Sequence, residues 1–364
     1  MKFVSPVLRR VVYPCLASTG YLRGRANGGD LCVVTYHGIL PAGYEVTDPD
    51  QDGGLVSVEA FRRQLRLLKS RYRVVAPEEV LAWILEDRAL PKRAVLLTCD
   101  DGLLNTLTDM VPVLREENIS CLFFALGASI GETAQMLWYE RLYLALLAAP
   151  SGTFETLGTT FELKERNQRR QVWATLLKQL SQVDAAERAC LIEAAQAQFG
   201  LDEFGLNRFG LNKEEETECA SEARRRRFSL LNLSQLRQLV DQGMSVGSHT
   251  LSHPMLSEQN SELAWKEISE SRSTLENTLG IRVWALAYPF GDAASVTARE
   301  WQMAEQAGFA CAFMNVGGGF GAALPRFALP RVHVTSEMGL AEFEAQVSGF
   351  HRALQARMSG AVSA

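Results

Sequence analysis

Ala94-Val95-Leu96-Leu97-Thr98-Cys99-Asp100-Asp101-Gly102 is the stretch whose reading decides the fold. The run Ala94–Thr98 is continuous, apolar and ends on a β-branched residue, which suits a parallel strand covered on both faces. Two carboxylates and a glycine stand where that strand should stop. In parallel βα folds the functional groups gather at the carboxyl ends of the strands. Neighbouring strand residues point to opposite sides, but Gly102 permits a sharp turn that brings both carboxylates to one cavity. There, one can bind a metal ion while the other accepts a proton from water. The competing reading is a plain turn or helix N-cap, for which Asp-Asp-Gly is also suited.

Comparable runs recur along the chain: Leu31–Tyr36, Ser120–Ala125, Met244–Gly247, Val283–Tyr288 and Phe309–Phe313. Between them lie helical patterns. Phe61, Leu65, Leu67 and Leu68 share one face after Val58-Glu59. Ser234 is placed as the N-cap of a helix carrying Leu236, Leu239 and Val240 and stopped by Gly243. Trp265, Ile268, Leu275 and Leu279 line another, ended by Gly280. Strand–helix alternation predicts an α/β architecture, doubly wound or barrel-like. Residues 131–230 break the rhythm with helical composition and few strand signals. Setting them aside leaves a chain near the ~250 residues of a βα barrel. The predicted organisation is therefore an N-terminal arm (1–28), a barrel (29–130 and 231–345), a helical insertion (131–230), and a C-terminal helix and tail (346–364). Within the insertion, the acidic run Glu214–Glu216 and the basic run Arg224–Arg227 read as solvated helix faces.

Whole-chain properties narrow the class. The 364 residues hold 37 basic and 42 acidic side chains, net −5, which argues against a nucleic-acid partner. Seven scattered cysteines, none in a C-x-x-C pair, argue against a disulfide framework and for a reducing compartment. There is no apolar run of about 18 residues, hence no expected spanning helix. The first 25 residues have basic residues ahead of a short apolar stretch broken by Pro14, without a small-x-small cleavage site. They read as an amphipathic surface arm, able to touch a membrane peripherally. The expected location is cytoplasmic or peripheral at the inner membrane.

Only five histidines occur, and His249 and His253 fall four residues apart just after the 244–248 strand. One helical turn would set them on the same side, and Pro254 restricts His253. Two neutral imidazoles and a carboxylate form a ligand set suited to zinc and similar first-row ions. Such a set leaves positions open for water and substrate.

With these motifs in place, the sequence resembles the polysaccharide deacetylase family (carbohydrate esterase family 4, nodulation-type deacetylase homology). The resemblance rests on Thr98-Cys99-Asp100-Asp101-Gly102, where the family usually has Thr-Phe-Asp-Asp-Gly, on Gly247–Pro254, and on Tyr288-Pro289-Phe290-Gly291. Thr35–Gly38 and Leu329–Val332 match the branch containing exopolysaccharide deacetylases. It covers about 31–130 and 231–335 and implies a distorted (β/α) barrel of about seven parallel strands. It also implies Asp100 as catalytic base, and Asp101, His249 and His253 as ligands of a divalent metal, most often zinc. An oxyanion donor is implied at the Phe290 N–H, with Tyr288 beside it. The implied reaction is removal of N-acetyl groups from a polysaccharide or glycolipid.

The pattern departs from the family at three places. The third motif usually opens with an arginine that orients the base, and here that position is Ala287; Arg331 is the candidate replacement from a neighbouring strand. The tryptophan-containing fourth motif is absent, and a flexible Asn315–Gly319 loop stands in its place as a candidate lining of the cleft. The fifth motif, Leu-x-His, is matched only by Arg331-Val332-His333, making His333 the candidate general acid. His37, at the end of the first strand, is divided between substrate contact and hydrogen bonding to barrel backbone. Cys99 reads as a small packed hydrophobe. Trp138, Tyr139 and Tyr143 are divided between a sugar-stacking lip and helix packing, and His351 reads as a surface residue. Three functions follow: an N-deacetylase; a hydrolase of O-acetyl esters, peptidoglycan sugars, formamides or cyclic amides; or a non-catalytic carbohydrate-binding barrel.

Overall fold

In the computed structural model, which describes residues 4–25, 31–46, 48–130, 135–200, 218–319 and 324–358, the apolar runs become the staves of a barrel. In chain order the strands are β1 Leu31–Tyr36, β2 Arg73–Val74, β3 Ala94–Cys99, β4 Leu122–Ala125, β5 Gly152–Thr156, β6 Thr159–Leu163, β7 Ser245–Ser248, β8 Ala285–Ala287, β9 Cys311–Met314 and β10 Leu329–His333. Seven are joined in parallel in the order β1-β10-β9-β8-β7-β4-β3, and β3 pairs back onto β1 from Leu31↔Ala94 to Tyr36↔Cys99. That pairing closes the ring. β2 adds a short fringe on β3.

Closure gives every barrel strand two buried faces, so polarity cannot mark which residues point inward; parity does. Leu31, Val33, Leu96, Phe124, Ala287 and Phe313 pack into the barrel interior. Their neighbours Cys32, Val34, Leu97, Phe123, Leu286 and Ala312 pack outward against helices such as Val58–Arg71 and Ser261–Leu279. Following the inward parity past the apolar layers gives Asp100 just after β3, His249 after β7, and Arg331 and His333 on β10. Those four groups sit at one end of the barrel because of strand periodicity alone.

One barrel strand gives no simple signal. β10 contains Pro330, which usually argues against a central strand. Here β10 pairs with β9 over Leu329 and Pro330, then with β1 over Arg331–His333. The proline stands where the strand changes partner. The helix Leu233–Asp241 also starts earlier than its pattern suggests: Asn232, not Ser234, accepts the Gln235 N–H as N-cap. Trp265 lies on the exposed side of its helix rather than in the packed face.

Between β4 and β7 the helices Trp138–Ala148, Arg166–Ser181, Ala185–Gln198 and Glu218–Phe228 accompany an antiparallel hairpin, β5-β6. The hairpin turns at Leu157-Gly158, both at positive φ, without the Asn-Gly signature that would reveal it in sequence. Leu142, Leu146, Phe154, Val172, Leu176 and Ile192 give this segment its own apolar cluster. The basic run does not form a solvated face throughout. Arg227 is buried, its guanidinium 2.7 Å from both Asp52 and Glu140, because a charge can be buried when two carboxylates surround it. Glu214–Glu216 lie outside the described residues.

The N-terminal helix Tyr13–Ser18 packs against the helix Leu340–Val347, with Tyr13 and Leu22 buried there. His351 is not on the surface: its Nδ1 lies 2.5 Å from the Tyr13 hydroxyl in a buried contact. Among the described residues no helix is long and apolar enough to cross a membrane.

Gly247 sets a tight dimension of the barrel. A Cβ there would meet the Phe124 ring at 2.5 Å and the Ala285 carbonyl oxygen at 3.0 Å. Neither can retreat within a closed barrel, so Gly247→Ala should lose about 1–3 kcal/mol of stability by overpacking, read as a lower urea midpoint. An unchanged midpoint would show that the barrel is looser than described.

Candidate metal centre and active site

The site begins with the turn after β3. Asp100 continues the inward parity of Leu96 and Thr98. Asp101 then takes φ 72° and Gly102 φ 66°, and these consecutive left-handed residues swing the second carboxylate back toward the same cavity. Adjacent acids thus share one chamber, and both are buried.

The histidines arrive from the next strand but one. His249 extends β7, its N–H donating to the Ala125 carbonyl at 2.8 Å. His253 does not follow by a helical turn. The connection is a loop in which Thr250 (φ 67°) and His253 (φ 61°) are both left-handed, at a cost of about 1–3 kcal/mol each. Other groups hold that loop in place. Thr250 Oγ1 accepts the His253 N–H at 3.2 Å, and the Glu267 carboxylate accepts the Ser252 N–H at 2.8 Å. Ser252 Oγ receives a 2.5 Å hydrogen bond from the buried Arg188 of the helix Ala185–Gln198 and itself bonds Glu267.

Asp101, His249 and His253 each offer a ligand atom, all within 4.8 Å of one another. Nε2 of His249 and of His253 lie 3.3 and 3.4 Å from Asp101 Oδ1. Ligand atoms about 2.1 Å from one tetrahedrally bound ion are separated by about 3.4 Å, so the spacing fits. The donor set fits as well. His249 Nδ1 lies 2.7 Å from the Ala287 carbonyl oxygen, an acceptor that requires Nδ1 to carry the hydrogen. In neutral His249 the lone pair of Nε2 then faces a carboxylate oxygen, and a cation between them removes that repulsion. Burial pushes the Asp101 carboxyl up, but the imidazoles of His249 and His253 beside it, when they carry a proton toward it, more than offset this and hold it well below the usual carboxylate range.

Asp100 is clamped separately. Arg331 donates from its two terminal nitrogens to the two carboxylate oxygens, at 2.7 and 2.6 Å, with both side chains buried. Burial raises the Asp100 pKa; Arg331 first, then His249 and His37, bring it below the ordinary value. The position of Ala287 lacks an arginine, and the guanidinium reaches the acid from β10, flanked by the rings of Phe124 and Phe313 at 5.7 and 5.8 Å.

His333 follows Arg331 on the inward face, its ring centroid 4.5 Å from that of His37. Burial, reinforced by His37, pushes its imidazole down to about 3, so it is uncharged at neutral pH. His37 is not tied to barrel backbone: its Nδ1 has no partner among the described residues, and its Nε2 lies 3.9 Å from Asp100 Oδ2. Phe290 borders the ligands at 4.9 Å from the His253 ring, with φ 60°. Its N–H has no acceptor among the described residues.

Two expectations fail. Tyr288 takes the outward parity, is buried among the surrounding helices, and donates its hydroxyl to the Phe327 carbonyl at 3.1 Å; it does not face the cavity. The Asn315–Gly319 loop does not line a cleft along its length. Gly318 and Gly319 are packed against the backbones of Arg331 and Gln346, where a Cβ would come within 2.8 and 2.5 Å. Only Asn315 reaches the site, its N–H bonded to the Gly291 carbonyl at 2.7 Å. Conversely, Tyr139 belongs to the site: its ring lies 4.9 Å from His253 and 5.6 Å from Phe290. Trp138 donates Nε1 to the His253 carbonyl at 2.9 Å, whereas Tyr143 is buried away from the ligands and bonded to Asp48.

The family model described as polysaccharide deacetylase matches residues 153–312, a span holding both histidines and the Phe290 loop but not Asp100 and Asp101. Among solved structures, the deacetylase PplD of Streptococcus pyogenes is similar at 16% identity and TM-score 0.53, covering 88% of this chain and 99% of that one. IcaB from Ammonifex degensii is similar at 18% identity and TM-score 0.52, covering 88% and 98%. A de-N-acetylase from Aggregatibacter actinomycetemcomitans is similar at 13% identity and TM-score 0.50, covering 86% and 98%. These likenesses establish the shared fold. No curated protein sequence matches this chain.

The clamp yields a stability test. Arg331→Met leaves a buried carboxylate without its partner and should cost about 3–5 kcal/mol in urea unfolding. Arg331→Met combined with Asp100→Asn should cost less than Arg331→Met alone. A double variant as unstable as the sum of the singles would mean that the two groups are not coupled.

Proposed function

We propose that this chain is a hydrolytic enzyme of the polysaccharide deacetylase family, whose model matches residues 153–312, and that it removes N-acetyl groups with the help of a divalent ion, zinc by preference. The substrate is an N-acetylated polysaccharide or a lipid-linked glycan precursor. The observation that carries this reading is the pairing, in one buried chamber, of an Asp-His-His ligand set with a second carboxylate held ionised by Arg331.

Asp101, His249 and His253 would hold the ion. When bound, it supplies Lewis acidity, polarising the acyl carbonyl and lowering the pKa of water toward about 7. Everything else is done by side chains and backbone. Asp100, oriented by Arg331, accepts the proton of the attacking water. Arg331 fixes which lone pairs of that carboxylate face the water, while the ligand residues next to it place the water close by. The Phe290 N–H donates to the oxygen on which negative charge develops. The proton that Asp100 takes from the water is passed on through His333, which is uncharged at rest with His37 beside it, to the departing nitrogen, whose lone pair becomes basic only as the C–N bond breaks. The products are acetate and a free amine on the sugar.

Acetate release from N-acetylglucosamine oligomers, with metal analysis of the same preparation, tests the reading. Asp100→Asn should lower turnover at least 10³-fold while leaving the metal stoichiometry near that of the wild type, whereas His253→Ala should lose both. Equal metal loss in the two variants would remove Asp100 from the role of base. Bound metal with no acetate from any N-acetylated sugar would turn the assignment toward an ester, another amide or a carbohydrate-binding barrel.

A further inference from the structure

The first turn of the helix Trp138–Ala148 is anchored residue by residue. Trp138 donates Nε1 to the His253 carbonyl at 2.9 Å, and the Arg188 guanidinium covers its ring at 4.8 Å. The Tyr139 carbonyl accepts a hydrogen bond from Trp173 Nε1 at 2.9 Å. The Glu140 carboxylate accepts one from buried Arg227 at 2.7 Å. Three consecutive residues are thus fixed by four separate segments. What this anchoring presents to the metal ligands is the partly exposed ring of Tyr139, 4.9 Å from the His253 ring and 5.6 Å from that of Phe290.

The chamber therefore has two unlike sides. Asp100, Asp101, His249 and Arg331 make one side charged and polar; Phe290 and Tyr139 make the other aromatic. An acyl oxygen that accepts the Phe290 N–H brings its own carbon substituent against these two rings, since carbonyl carbon and tail lie within a few ångströms of the oxygen. The geometry points to Tyr139 as a specificity-determining residue that confines the acyl group to two carbons. This inference rests on the acyl-hydrolase reading given above. A fixed aromatic wall discriminates by volume, and each methylene it rejects is worth roughly 10–200-fold in kcat/KM. Because Tyr139 sits against a ligand histidine, its ring faces the acyl group in preference to a distant sugar.

Measuring kcat/KM of the zinc-supplemented protein for 4-nitrophenyl acetate, propionate and butyrate tests the wall. Wild type should prefer acetate over butyrate by at least tenfold. Tyr139→Ala should raise the butyrate-to-acetate ratio tenfold or more, Tyr139→Leu should raise it by less, and Tyr139→Phe should leave it as it is. Circular dichroism checks that each variant is folded, and the leucine variant carries the test if the alanine variant is not. An unchanged ratio in active Ala and Leu variants overturns the inference. So does a raised KM for N-acetylglucosamine oligomers with an unchanged ratio, which would give the ring to the sugar. A wild-type protein that hydrolyses neither the esters nor the oligomers would instead overturn the acyl-hydrolase reading on which the inference stands.

Discussion

The interaction on which the rest depends is the doubly hydrogen-bonded pair of Arg331 and Asp100 inside the barrel. Two opposite charges, almost fully removed from water, tolerate that environment only while each satisfies the other. The pair settles several things together. It keeps the acid ionised where burial alone would protonate it. It fixes the orientation of the carboxylate. It also ties β10 to β3 across the intervening β1, which carries His37 at its end. A guanidinium suits this because its planar fork matches both oxygens at once and its faces can lie near the rings of Phe124 and Phe313.

Much of this was legible in sequence, and the exceptions have physical reasons. Long apolar runs announce strands, so six of the seven barrel staves could be read directly. Pro330 hid the seventh, because a residue without an N–H is tolerated only where a strand exchanges neighbours. The ligand set stood out because buried histidine and paired acids are rare, and Arg331 could be guessed from the lack of an arginine at 287. Tyr288 misled because adjacency to Phe290 was taken for a shared direction. Strand parity, counted from Ala287, would have sent its ring outward. Arg227 and His351 misled for the opposite reason: composition suggests solvent, and only tertiary structure brings Asp52 and Glu140, or Tyr13, close enough to bury them. Tyr139 stayed divided in sequence between a sugar-stacking lip and helix packing, since His253 and Phe290, which place it at the site, are more than 100 residues away.

The loops that bear the ligands share a second property. Asp101, Thr250, His253 and Phe290 all hold backbone conformations that side-chain-bearing residues avoid. Such conformations persist only when the surroundings over-determine them. Here the Glu267–Ser252–Arg188 hydrogen bonds, the Ala287 carbonyl and the Asn315–Gly291 contact do so. Part of the stabilisation from the packed barrel is thus spent on holding ligand atoms in place before any ligand arrives.

Closing the ring has a kinetic consequence. Val33 pairs with Arg331, and the hydrogen bonds between Arg331 and Asp100 span 231 residues. Contacts of such separation form late in folding, because the chain between their ends must already be arranged. A partly folded chain can hold β3, the Asp-Asp turn and the histidine loop, yet Asp100 lacks its guanidinium partner until β10 docks. On the proposed reading, hydrolytic competence then depends on the docking of β10, and an opened barrel is a silent one.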